Sequence, residues 1–124
     1  MHRALLAIGA FAMALGVVLG AVSAHATHGA AHPDAAHLLT AAVTYHLVHG
    51  LALVIEGAMW RAWPSRWLLA AYVLHAAGLV LFCGGMWILA MTGASLGPVV
   101  PSGGLAFIAG WIALAVYACR MPRG

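Results

Sequence analysis

Four apolar stretches, about residues 4–24, 38–59, 67–91 and 103–119, are joined by segments too short to hold a domain of their own. Each is close to the roughly 20 residues that cross a ~30 Å hydrocarbon layer as a helix. Lipid offers no partner for an unpaired backbone N–H or C=O, so helices are the form such stretches must take. Composition removes the soluble alternative. The chain is 65% apolar and carries five basic and two acidic residues, which cannot cover the surface of a water-soluble domain. The predicted fold is an all-α membrane protein, a single antiparallel four-helix transmembrane bundle over residues 1–124. Pro33, Pro64, Pro98 and Pro101 are all expected in loops, where they break nothing.

The basic residues set the predicted orientation. Arg3 precedes the first stretch, Arg61 and Arg66 lie between the second and third, and Arg120 and Arg123 follow the fourth. The other two loops contain no Lys or Arg. With four spans, all the arginines fall on one side, and the positive-inside rule makes that side, with both termini, cytoplasmic. Trp60, Trp63 and Trp67 gather at the same boundary, where indoles prefer to lie. The arginines are scattered singly and form no patch for nucleic acid.

The first stretch has a second possible identity. "GAVSAHATHG" contains Ala24-His25-Ala26, an A-x-A pattern like a signal-peptidase site. The apolar run before it is longer than the roughly 7–15 residues of a signal core. Ala12, Gly16, Gly20 and Ala24 also recur every four residues, a small-residue stripe suited to close helix packing. Both features favour a retained first span.

Four segments carry a resemblance to a known family. They are "LGAVSAH" at Leu19–His25, "YHLVHGLAL" at Tyr45–Leu53, "GLVLFCGGMWILAMTG" at Gly78–Gly93 and "VPSGGLAFIAGW" at Val100–Trp111. In this order they resemble the small membrane proteins grouped as domain of unknown function 423, YgdD-like and transmembrane-protein-256-like. The matching positions are Gly20, His25, Tyr45, His49, Gly78, Phe82, Gly84, Gly93, Pro101, Gly103, Gly104, Phe107, Gly110 and Trp111. Cys83 and Gly85 stand where the family usually has Ser, Trp87 where Tyr is common, and Val100 where Thr precedes Pro. The resemblance implies four spans in a bacterial inner membrane and supplies no reaction. It also implies that the opening motif is the end of a retained helix.

The second stretch holds the chemistry. At 100° per residue, Tyr45, His46, His49 and Glu56 fall within about a 100° arc. Turning that arc to lipid would cost several kcal/mol, so it is predicted to face the bundle. His75 on the third span is expected within roughly 4 Å of the depth of His49, with Glu56 about two turns nearer the arginine side. Three uses compete for this face. The first is interhelical hydrogen bonding that fixes the bundle. The second is a path for protons or a small solute along His46, His49, His75 and Glu56. The third is a haem or metal held by His49 and His75.

The loop after the first span adds His25, His28, His32, His37 and Asp34, weak candidates for a metal on the outer side. No Cys-x-x-Cys or His-Glu-x-x-His pattern strengthens them. Cys83 and Cys119 are expected at opposite ends of the bundle, out of disulfide reach. No nucleophile–base pair or phosphate loop appears. The sequence therefore predicts a non-enzymatic accessory or structural component without cofactor, whose surroundings are the lipid bilayer and a membrane-protein partner or second copy.

Overall fold

The computed structural model describes residues 1–121. It is all helix: α1 (His2–Ala26), α2 (Ala35–Met59), α3 (Arg66–Gly78), α4 (Gly85–Thr92) and α5 (Val99–Cys119). A π-helical segment, Leu79–Gly84, runs between α3 and α4, so the three form one span. Among the described residues, four helices are long and apolar enough to cross a membrane.

The helices outrun the sequence estimates by up to four residues at an end, most at the starts of the second and fourth spans. The second helix begins at Ala35, because the Asp34 N–H is held by His32 Nδ1 at 3.1 Å and the chain turns there. The fourth begins at Val99, which places Pro101 inside the first helical turn and corrects its expected position in a loop. A first-turn residue has no upstream carbonyl to bond, so a missing N–H costs nothing at that place. Gly93, at φ +70°, ends α4 in the left-handed conformation, its N–H donating to Leu89 O at 2.9 Å.

The interruption of the third span was not anticipated. Along it the buried positions run Leu68, Ala71, Tyr72, His75, Gly78, Leu79, Cys83, Gly85, Met86 and Ala90. His75, Leu79 and Cys83 are four apart, a spacing that drifts about 40° per step around a straight α-helix. The wider π turn absorbs the difference and keeps all three on the core side.

Neighbouring spans run antiparallel. Along α1 and α2, Gly9 lies against the Val54 backbone, Gly16 against His46, and Gly57 against Leu6. Along the third span and α5, Gly78 meets Phe107, Phe82 meets Gly103, and His75 meets Gly110. α2 also packs on the third span and so joins the two pairs. α1 is the outlier, packed extensively on α2 alone. Phe11, Val80, Leu105, Ile108 and Ile112 point outward, as expected where the surrounding solvent is lipid.

Lipid gives no hydrophobic drive for helices to associate, so contact depends on close approach and hydrogen bonds. A Cβ added at Gly9 would lie 2.7 Å from Val54 N, and one at Gly57 2.8 Å from Leu6 N. The obstacles are backbone atoms, which cannot swing aside. Ala12, Gly16 and Gly20 do face α2, but Ala24 is exposed, which corrects the far end of the predicted stripe.

The two ends of the bundle differ in chemistry. Arg3, Arg61, Arg66 and Arg120 share one end with the 60–65 loop, while Arg123 lies outside the described residues. At the other end the His32 N–H donates to Ala90 O at 3.2 Å, closing the histidine-bearing loop over the end of α4.

Candidate functional site

The polar arc predicted on α2 lies largely inside the bundle. His46, His49 and Glu56 are buried, and so is His75 facing them from α3. Tyr45 is the correction, since it is 45% exposed. At its level the interior is taken by Phe82 and Phe107, and the Tyr45 ring lies over them with centroids 4.9 and 6.1 Å away.

Glu56 and His75 form the centre of the site. Glu56 Oε1 is 2.9 Å from His75 Nδ1, with both side chains fully buried. This pairing is closer than the roughly one turn between their levels that counting residues from the arginine-side boundary gives. Helical side chains lean toward the N-terminus of their own helix. Because α2 and α3 are antiparallel, Glu56 and His75 lean toward each other and close the gap. Glu56 Oε2 and His75 Nε2 have no hydrogen-bond partner among the described residues. His75 Nε2 faces the backbone of α5 at Gly110, where an added Cβ would come within 2.6 Å.

His49 has both ring nitrogens engaged. Its Nδ1 is 2.8 Å from Tyr45 O, one turn back on the same helix, and its Nε2 is 3.0 Å from Trp111 Nε1 on α5. A carbonyl only accepts and an indole N–H only donates. The Nδ1–H tautomer is therefore the form that satisfies both bonds. Phe107 stacks on the ring at 3.5 Å and 15°. His46 turns the other way, with its Nε2–H donating to Ala12 O of α1 at 2.9 Å in the space left by Gly16.

Two tyrosines extend the pattern. Tyr72 OH donates to Leu5 O on α1 at 2.8 Å, and Tyr117 OH to Trp63 O in the 60–65 loop at 3.2 Å. Neither figured in the sequence argument. Tyr72 was findable, because it precedes His75 by three residues and so shares its face. Trp111 appeared only as a family position. Its place in mid-span was the missed signal, because an indole N–H at hydrocarbon depth has no water to bond and needs an acceptor from the protein.

This geometry separates the competing uses. His46 and His49 point to different helices, so His46, His49, His75 and Glu56 do not line one continuous path. The His49 and His75 rings lie 5.4 Å apart at a 55° tilt, and His49 has no free nitrogen. With Phe107 on one ring and Gly110 against the other, the geometry does not support a haem or metal held between them.

Among the described residues no three His, Cys, Asp or Glu side chains gather as metal ligands. His25, His28 and His37 are exposed, and His32 is occupied by the turn at Asp34. Cys83, buried in the π segment, and Cys119, exposed at the arginine end, are both free.

The positions of the family resemblance now have a common meaning, because most are partners across helices. Gly78 fits Phe107, Phe82 lies on Gly103 and Gly104, and Phe107 and Trp111 hold His49. Gly20 meets Val43 on α2, and Gly93 makes the turn after α4. Gly84 has open space beside it, and His25 is exposed in the last turn of α1.

Known proteins share this pattern. The family described as "Protein of unknown function (DUF423)" matches residues 19–104. The UPF0382 membrane protein SH2409 of Staphylococcus haemolyticus is 36% identical over 110 residues, covering 88% of this chain and 89% of that protein. The Bacillus subtilis UPF0382 membrane protein YwdK is 33% identical over 121 residues, covering 91% and 94%. The Escherichia coli K12 UPF0382 inner membrane protein YgdD is 32% identical over 108 residues, covering 86% and 82%. No solved structure matches the chain significantly. The four apolar helices and the cross-helix partners therefore belong to a bacterial multi-pass membrane protein of the DUF423 (UPF0382) family.

Proposed function

We propose that this protein is a non-enzymatic structural or accessory component of the inner membrane, in which buried polar side chains hold four spans in one arrangement. The observation that carries this reading is where the hydrogen bonds go. His46 joins α2 to α1, Tyr72 joins α3 to α1, Glu56 and His75 join α2 to α3, and Trp111 joins α5 to α2. Every span is tied to at least one other. In the membrane such residues act as fasteners between helices.

The orientation belongs to the same proposal. With Arg3, Arg61, Arg66 and Arg120 at one end, that end is cytoplasmic, together with both termini. A reporter fused after Gly124 should behave as cytoplasmic; external activity would reverse the assignment. α1 is read as a retained span, because Ala12 O and Leu5 O accept bonds from α2 and α3.

His49 tests the fastening role. His49→Gln keeps a donor and an acceptor and should leave thermal stability in detergent nearly unchanged. His49→Leu strands the Trp111 N–H and should cost about 1 kcal/mol, within the range of interhelical bonds in membranes. Equal stability of both variants would remove His49 from the fastening set. A second reading, a proton-holding site, is favoured by one observation: the unpartnered Glu56 Oε2 and His75 Nε2.

A further inference from the structure

We draw no further inference here: the strongest candidate, the cavity of about 510 Å³ between α1 and the third span, lined by Phe11, Leu15, His46, Leu79, Cys83 and Trp87, is an almost wholly apolar space, and nothing in the structure shows what covers it.

Discussion

Gly9→Val should detach the first span from the bundle and give the largest loss of stability of any single change considered. The new Cβ would meet Val54 N at 2.7 Å and Leu53 C at 2.8 Å, both backbone atoms of α2. Relief requires α1 to move away from α2, on which nearly all of its packing depends. Separation would also lengthen the His46–Ala12 bond, now 2.9 Å. Overpacking at a well-fitted site costs about 1–3 kcal/mol, and the upper end is expected here because no side chain can yield. Thermal unfolding in detergent, compared with Ala10→Val on the exposed face of α1, measures it. Equal stability of the two variants would contradict the packing described.

The second large effect is expected at His75. His75→Leu leaves Glu56 fully buried with neither oxygen partnered. Removing one member of a buried pair is costly, about 3–5 kcal/mol in soluble proteins. In a membrane the unfolded reference state also finds polar partners, so a smaller loss of about 2–3 kcal/mol is expected. The double variant His75→Leu/Glu56→Leu removes both polar groups and should recover most of the loss. Thermal unfolding of the two single variants and the double gives the coupling directly. Strictly additive losses would mean that Glu56 and His75 do not act as a pair.

Much of this arrangement was readable before any coordinates, and the exceptions have physical causes. Four spans followed from stretch length and the scarcity of charge. The burial of His46, His49 and Glu56 followed from the cost of exposing them to lipid. Tyr45 was misplaced because an arc computed on one helix does not know that Phe82 and Phe107 fill the interior at that level. The small-residue stripe was followed at every fourth residue, which drifts 40° per step around a 3.6-residue helix. The observed line bends back through Gly9, Met13 beside Gly50, and Gly16, and leaves Ala24 outside.

The π segment left no trace in composition, since one extra residue in an apolar run changes neither length nor hydropathy noticeably. The Glu56–His75 contact was hidden by counting residues between Cα positions. Its closure depends on the opposite lean of side chains from antiparallel helices. Tyr72 and Trp111 had readable positions, on the His75 face and in mid-span, but the acceptors they reach, Leu5 O and His49 Nε2, could not be read from either.

The central claim is that the buried polar residues fasten helices and do not move protons. Proton flux through liposomes holding wild-type protein and Glu56→Gln, each with its thermal stability measured in parallel, tests it most directly. Gln cannot titrate but retains an acceptor oxygen for a bond to His75. The expected result is that neither protein dissipates an imposed pH gradient faster than empty liposomes, while Glu56→Gln unfolds within a few degrees of wild type. Rapid dissipation by wild type, lost in an equally stable Glu56→Gln, would contradict it.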